Sequence, residues 1–202
     1  MPDVPQTYLI LPPEIDAALP DRLAALLDAT PVACLRLAPA TTSEDRIRRA
    51  ADACRTVAHA RDVPLVLADH PALVTQLGLD GVHLTDPRPL RKLRTDWGTD
   101  PIVGAWCGAS RHDGMLAGEH GADYVAFGPI GESALGHGTR AEDDLFAWWS
   151  EMIELPVVAE GMLDLAAVER LAPVTDFFAF GGEVWDADDP AAALRDLTAP
   201  LR

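Results

Sequence analysis

Positive charge is scarce in this sequence. Sixteen Lys and Arg residues stand against 32 Asp and Glu residues, which gives a formal net charge of −16. A field of that sign repels phosphate backbones and anionic lipid surfaces, so the composition argues against nucleic acid and against a membrane as partners. A local basic cluster could still hold one small anion, and the charge is therefore compatible with a phosphorylated metabolite.

Cysteine is scarce as well. The three cysteines are Cys34, Cys54 and Cys107. Their odd number and their spacing predict reduced thiols rather than disulfides or a zinc site. The N-terminal stretch MPDVPQTYLI lacks the basic start and apolar run of an export signal, and no segment contains about 20 consecutive apolar residues. We therefore expect a cytoplasmic protein.

The sequence does contain a regular alternation of short apolar runs and amphipathic stretches. With 202 residues, 49% of them hydrophobic, and no linker or shift in composition, we expect a single domain over residues 1–202. The apolar runs, each followed by a helix-like segment, are 7–11, 32–37, 64–68, 81–84, 101–107, 123–128, 156–161 and 176–182. Segment 43–60 predicts a helix with one buried face. The residues of that face are Ile47, Ala50, Ala51, Cys54, Val57 and Ala58.

The character of the apolar runs indicates the fold class. They are continuous rather than alternating, which favours a parallel sheet covered on both faces. Eight strand and helix units of about 25 residues each match a compact α/β fold, the (β/α)8 or TIM barrel. An open doubly wound sheet is the alternative. We favour the barrel because no glycine-rich dinucleotide fingerprint follows the first run, and because polar residues follow nearly every run, where a barrel has its mouth.

The residues at the predicted strand ends are the candidates for function. In chain order they are Arg36, Asp69, His70, His83, Asp86, Trp106, Cys107, Gly108, Glu160, Gly161, Gly181, Gly182 and Glu183. Glycines after strands 7 and 8 are compatible with a phosphate site built from backbone N–H groups, and equally with ordinary turns. A carboxylate beside such a site is costly unless it is paired or protonated, so we expect Glu160 to pair with Arg88 or Arg140.

The sixth run leads into an unusually long connection, 128–140. Most connections in compact domains have about 4 to 6 residues. This one is glycine-rich and polar, and it carries Ser133, Thr139 and Arg140. We expect it to close over a small phosphorylated ligand at the mouth, with Arg140 able to grip a phosphate bidentately.

Several stretches resemble the thiamine phosphate synthase and TenI family. They are DGVHL (80–84), GADYVAFGPI (121–130), PVVAEG (156–161) and DDPAAALRDL (188–197), with further similarity in ACLRLA (33–38) and VPLVLAD (63–69). The resemblance implies a (β/α)8 barrel. It also implies an activity: synthase members use Mg²⁺ to join a pyrimidine pyrophosphate to a thiazole phosphate with loss of pyrophosphate, whereas TenI-type members isomerise the thiazole phosphate.

The resemblance further implies roles for individual residues. Asp69 stands at the position of the first magnesium carboxylate. Arg88 stands at that of the second, which makes Asp86 the candidate replacement. Arg36 matches an arginine that contacts phosphate, although Ala38 replaces the lysine expected two residues later. The remaining expected roles are catalytic for His83 and Arg140, and substrate or phosphate contact for Trp106, Ser133, Thr139, Gly161, Gly181 and Gly182.

Three functions are compatible with these features. The first is a Mg²⁺-dependent thiamine phosphate synthase. The second is a metal-independent thiazole phosphate tautomerase, in which His83, His70 or His112 would move the proton. The third is a non-catalytic barrel that binds a phosphorylated ligand, because one barrel can support many functions.

The adjacent tryptophans Trp148 and Trp149 bear on assembly. Neighbouring residues cannot both face inward on a helix. Exposed aromatic residues are common at protein interfaces. We therefore expect one of the two to contribute to a subunit interface, and the protein to form a homo-oligomer.

Overall fold

The computed structural model describes residues 4–132 and 139–201. Strands and helices alternate along the chain. The strands are β1 (Gln6–Ile10), β2 (Cys34–Leu37), β3 (Leu65–Ala68), β4 (Gly81–Leu84), β5 (Ile102–Trp106), β6 (Tyr124–Phe127), β7 (Val157–Glu160) and β8 (Phe177–Phe180). The helices are α1 (Leu19–Ala29), α2 (Glu44–His59), α3 (Pro71–Leu77), α4 (Leu90–Trp97), α5 (Arg111–Glu119), α6 (Asp143–Met152), α7 (Leu165–Leu171), α8 (Gly182–Trp185) and α9 (Pro190–Leu197).

The strands form a closed parallel barrel in sequence order. Strand β1 closes it by pairing with both β2 and β8, so that Tyr8 lies opposite Cys34 on one side and Ala179 on the other. The predicted (β/α)8 barrel is confirmed, and the open doubly wound sheet is wrong. Side chains cover the strands from inside and outside the barrel, which explains their continuous apolar runs.

The larger apolar core lies between the barrel and the helices. Helix α2 shows how the sequence builds it, because its apolar residues recur on one face. The residues buried on this face are Ile47, Ala50, Ala51, Cys54 and Ala58, while Val57 is partly buried against the same core. The helix predicted over 43–60 is therefore confirmed, with Ser43 as its N-cap residue.

A second, smaller core fills the interior of the barrel. Its buried members are Tyr8, Val66, Tyr124, Ala126, Val158 and Ala179. Strand β5 makes room for the ring of Tyr124, since a Cβ on Gly104 would lie 2.0 Å from its Cζ. Two tyrosine hydroxyls are thereby placed inside the barrel, where burial obliges them to find partners.

Three aspartates connect the amino ends of the strands. Asp80, Asp123 and Asp176 lie at or directly before the starts of β4, β6 and β8. Each carboxylate accepts a hydrogen bond from a backbone N–H near the start of the preceding strand, namely that of Leu65 at 2.7 Å, Val103 at 2.7 Å and Val157 at 2.9 Å. These contacts lie at the end of the barrel opposite the mouth, which in this fold contributes to stability rather than to chemistry.

The surface of the helical layer carries the two adjacent tryptophans of α6. Trp149 is buried and donates from Nε1 to the carbonyl oxygen of Leu155 at 2.8 Å. Trp148 is half-buried, and the guanidinium carbon of Arg111 lies 4.8 Å from its ring centroid.

Among the described helices, none combines the length and apolar character needed to cross a membrane.

Candidate active site

The carboxyl ends of the strands open onto one mouth, which is where active sites of this fold lie. A cleft of about 430 Å³ lies there between the loops that follow β7 and β8, a volume typical of small-ligand sites. Its lining includes Arg36, Glu160, Gly161, Gly181, Gly182 and Glu183. The fold thus brings together four of the predicted phosphate contacts, the arginine and the three glycines.

Arg36 and Glu160 form a buried ion pair in the floor of this cleft. Nη1 of Arg36 donates to Oε2 of Glu160 at 3.0 Å, and Nη2 donates to Oε1. The two residues are only 6% and 5% exposed. Burial disfavours the guanidinium charge, but the Glu160 carboxylate more than offsets this and raises the pKa of Arg36, which stays charged. The partner of Glu160 is therefore Arg36, and the predicted pairing with Arg88 or Arg140 is wrong.

His83 extends this pair into the barrel interior. Its Nε2 lies 2.8 Å from Nη1 of Arg36, and its Nδ1 lies 3.0 Å from the hydroxyl of Tyr124. That hydroxyl is in turn 2.8 Å from the hydroxyl of Tyr8. Burial, together with the charge of Arg36, lowers the pKa of His83 well below its usual range, so the imidazole is neutral.

These contacts change the role expected of His83. Both ring nitrogens are engaged inside the barrel, and the described lining of the mouth cleft contains Arg36 and Glu160 but not His83. A catalytic proton transfer by His83 is a prediction that this geometry does not support. His70, in a left-handed conformation at the start of α3, and the exposed His112 on α5 are not connected to this network by any contact that the structure describes.

Glu183 accepts hydrogen bonds from backbone N–H groups in the loops that follow β7 and β8. Its Oε2 accepts from the N–H of Gly181 at 2.8 Å, and its Oε1 accepts from the N–H of Leu163 at 3.0 Å. In this conformation the N–H of Gly181 is therefore engaged by Glu183, and a phosphate contact through it requires Glu183 to move. Gly161, with φ of +92°, and the exposed Gly182 line the same cleft, and their phosphate contacts remain predictions.

The two predicted magnesium ligands have different surroundings. Asp69 accepts from the backbone N–H of Thr85 at 3.0 Å and from its hydroxyl at 2.8 Å. Asp86 accepts instead from the backbone N–H of Arg88 at 3.0 Å and from Nε of the same residue at 2.7 Å. The hydrogen bonds from Arg88 hold the pKa of Asp86 below its usual range. Arg88 thus competes with any cation for Asp86.

This donor set fits Mg²⁺ through Asp69 rather than through Asp86. Within 4–132 and 139–201, no group of three or more His, Cys, Asp or Glu residues is arranged to hold a metal ion. Mg²⁺ commonly needs no such group, because one or two carboxylates bind it together with water and substrate phosphates. Asp69 retains acceptor capacity beyond its bonds to Thr85 and meets that requirement. The metal role predicted for Asp86 requires Arg88 to move away.

The loop after β6 carries Arg140. Trp106, at the end of β5, lies beside this loop. Nε of Arg140 donates to the carbonyl oxygen of Ile130 at 2.9 Å, while the residue as a whole is exposed. Trp106 at the end of β5 is half-buried, and its indole lies 3.0 Å from where a Cβ of Gly128 would be. Thr139 is exposed at the end of the loop. The predicted contact through Ser133 lies outside the described residues.

Sequence reasoning missed the two tyrosines of the interior network and the way Glu183 is used. Tyr8 and Tyr124 each lie within an apolar run, where an aromatic residue is most simply read as core. The available signal was Gly104, a strand glycine, which marks a site of close approach by another group. Its partner could be identified only once the barrel was closed.

The fold and the mouth define the class of this molecule as a (β/α)8 barrel protein with a polar cleft at its mouth that contains a buried ion pair. A family model described as thiamine monophosphate synthase, TMP-TENI, matches residues 7–177. The chain belongs to that family, as its resemblance implied.

Individual relatives agree with this assignment. A thiamine-phosphate synthase of Rhodospirillum centenum is 42% identical, with 96% of this chain and 97% of that protein covered. One of Erythrobacter litoralis is 36% identical, covering 93% and 91%. Among solved structures, a thiamine phosphate pyrophosphorylase from Pyrococcus furiosus superposes with a TM-score of 0.84 at 17% identity, covering 97% of this chain and 95% of that one. At that identity the structural match supports the fold alone.

Proposed function

We propose that this chain, as a single domain over residues 1–202, is a thiamine-phosphate synthase of thiamine biosynthesis. The observation that carries the proposal is its 42% identity, over nearly the full length of both chains, to a protein of that name. The reaction breaks the bond between the pyrimidine methylene carbon and the pyrophosphate oxygen, which leaves with the electron pair. The thiazole nitrogen then supplies its lone pair for the new carbon–nitrogen bond.

The residues at the mouth would have different roles in this reaction. Asp69 would hold Mg²⁺, which when bound neutralises charge on the departing pyrophosphate. Arg140, exposed at the end of the β6 loop, would contact phosphate, and Thr139 and Trp106 would contact the substrates. Arg36 would act from the cleft floor, where Glu160 fixes its guanidinium and one N–H of Nη2 has no partner among the described residues.

We further propose that the protein works in the cytoplasm and forms a homo-oligomer. The three free cysteines support the first point, because such thiols are usual in reducing compartments. Half-buried Trp148 and the 63% exposed Met152, both on α6, support the second. Sedimentation equilibrium would test assembly, and a monomer at micromolar concentration would contradict it.

The reaction itself is tested with both precursors and Mg²⁺, by measuring thiamine phosphate and pyrophosphate released together. We expect product with the wild type, loss of product with a chelator, and a fall of about 100-fold in kcat/KM for Asp69→Asn. Asp96→Asn is the matched control, because this exposed aspartate pairs with Lys92 on α4. If the wild type releases no pyrophosphate from the two precursors, the proposed function is wrong.

A further inference from the structure

The polar groups inside the barrel form a chain that the reaction as proposed does not use directly. Arg36 contacts His83, His83 contacts Tyr124, and Tyr124 contacts Tyr8. Both tyrosines line a separate apolar cavity of about 270 Å³ formed by residues at the amino ends of the strands. Neither is among the described residues that line the mouth cleft. Hydrogen bonds therefore connect Tyr124 to the cleft through His83 and Arg36, while the ring centroid of Tyr8 lies 5.8 Å from the guanidinium carbon of Arg36.

The directions of both hydrogen bonds of His83 follow from Arg36. A guanidinium can only donate, so Nε2 of His83 must be the acceptor and carry no proton. The single proton of the neutral imidazole is then on Nδ1, which donates to the oxygen of Tyr124. In the contact between the two tyrosines, either hydroxyl can be the donor. One tautomer of His83 therefore satisfies both of its contacts.

The hydroxyl of Tyr124 holds the imidazole in this orientation. Without it, the buried Nδ1–H would have no acceptor within the described residues, which favours rotation of the ring away from its position beside Arg36. Such a rotation would remove one of the two hydrogen-bonding partners that hold the guanidinium. Glu160 would remain as the other.

We propose that Tyr124 is a positioning residue for Arg36: by accepting the Nδ1 proton of His83, it keeps Nε2 as the acceptor that holds the guanidinium in the cleft floor. The functional consequence rests on the proposed function, in which Arg36 faces an anionic substrate. The tautomer itself does not depend on that function.

Packing alone does not account for the hydroxyl. The ring of Tyr124 fills the space opposite Gly104 and lies nearly parallel to the His83 ring, with centroids 5.8 Å apart and 25° between planes. A phenylalanine would keep both contacts. Tyr124→Phe therefore removes the hydrogen bond while preserving the shape of the core.

The experiment compares Tyr124→Phe with Tyr8→Phe, which removes the next hydroxyl but leaves the bond between Tyr124 and His83. Long-range ¹H–¹⁵N correlation spectra identify the protonated nitrogen of His83, with His83→Gln used to assign the signal. We expect Nδ1–H in the wild type and in Tyr8→Phe, with its proton resonance at low field because the proton is hydrogen-bonded, and loss of that low-field resonance in Tyr124→Phe. An unchanged resonance in Tyr124→Phe would mean that the hydroxyl does not accept this proton.

Kinetics supply the second readout. For Tyr124→Phe we expect a rise of about tenfold in KM for at least one phosphorylated substrate, with kcat within about twofold, because the lost contact acts on ligand binding. Tyr8→Phe should change neither constant by more than about twofold. Partial unfolding would instead lower the active fraction, and with it the apparent kcat, at unchanged KM.

Two outcomes would overturn the proposal: Nε2–H in the wild type, or equal KM values in the two variants. Calorimetric titration with inorganic pyrophosphate separates its failure from failure of the proposed function. If no product forms but Tyr124→Phe weakens pyrophosphate binding and loses the low-field Nδ1–H resonance, the positioning role of Tyr124 stands without the synthase reaction. If product forms and both variants match the wild type, only the positioning role is lost.

Discussion

At the scale of single residues, the buried pair of Arg36 and Glu160 dominates the energetics of the mouth. An ion pair in a low-dielectric interior gains little over two apolar side chains, because both charges lose their hydration. Removing one partner is much worse, since it leaves a buried charge without compensation. Glu160 is thus required mainly because Arg36 is present.

This argument gives a prediction for paired substitutions. We expect Glu160→Met to lower the free energy of unfolding by about 3 to 5 kcal/mol. The double variant Arg36→Met with Glu160→Met should lose less than the single variant, because no charge is left buried. Urea unfolding at pH 7 measures both. Costs that simply add would mean that the two side chains are not energetically coupled.

The same pair shows what could be predicted from residues alone. Arg36 and Glu160 were both placed at the mouth from their positions at strand ends, and that placement is correct. Their pairing was not predicted, since they are 124 residues apart in sequence and become neighbours across the barrel only when it closes. Glu183, by contrast, uses a donor two residues away, Gly181, but its second donor, Leu163, belongs to another loop.

At the scale of elements, the recurring aspartates at the strand starts explain how neighbouring units are joined. Asp176 is the most buried of the three, at 5% exposure, and it accepts from the N–H of Val157 at 2.9 Å. Asp80 and Asp123 likewise accept hydrogen bonds from backbone N–H groups of β3 and β5, and both carboxylates are more exposed. An unpartnered buried N–H is costly, so burial should rank the three contributions.

We therefore expect Asp176→Ala to lower the free energy of unfolding by about 1 to 3 kcal/mol. Asp80→Ala, the comparison variant, also breaks the contact with His59, but that contact is solvent-exposed and contributes little, and water can reach the freed N–H of Leu65. We therefore expect it to cost less. Chemical denaturation gives both values, and KM for the substrates should stay unchanged because this end of the barrel is remote from the mouth. An equal or larger loss for Asp80→Ala would contradict the ranking by burial.

Most elements were predictable because their signals are local. The run 81–84 is β4 with the same limits, and the helix-like segment expected after the run 176–182 includes α9, Pro190–Leu197. Helix α8, Gly182–Trp185, was missed: four residues are about one turn, which is too short for a hydrophobic period to appear. Glu183 lies on this helix. Because the helix was not predicted, the hydrogen bonds that Glu183 makes were not predicted either.

At the scale of the whole molecule, closure of the barrel decides which polar groups meet in its interior. The hydroxyls of Tyr8 and Tyr124 come from β1 and β6, 116 residues apart, and they lie 2.8 Å apart in the closed barrel. A sequence pattern identifies the strands and their inward faces. It does not contain the stagger between strands, which determines which inward side chains share a layer.

The buried thiols give a prediction for the molecule as a whole. Burial raises the pKa of Cys54 to about 11, and burial with a smaller effect of Asp113 raises that of Cys107 to about 12. Both thiols have a pKa of about 9 when unfolded. Between pH 9 and these folded values the unfolded chain loses protons that the folded chain keeps, so stability falls as pH rises.

Each thiol should cost about 1 kcal/mol of unfolding free energy between pH 8 and pH 10. The large negative charge also destabilises the fold at high pH by self-repulsion, so the wild type alone cannot separate the two effects. Cys54→Ala can, because it removes one titrating thiol from α2 and leaves the charge at pH 8 unchanged. We expect its loss of stability between pH 8 and pH 10, from urea unfolding under a reductant, to be smaller than that of the wild type by about 1 kcal/mol. Equal losses would mean that Cys54 titrates alike in the folded and unfolded chains and is therefore accessible to solvent in the folded state.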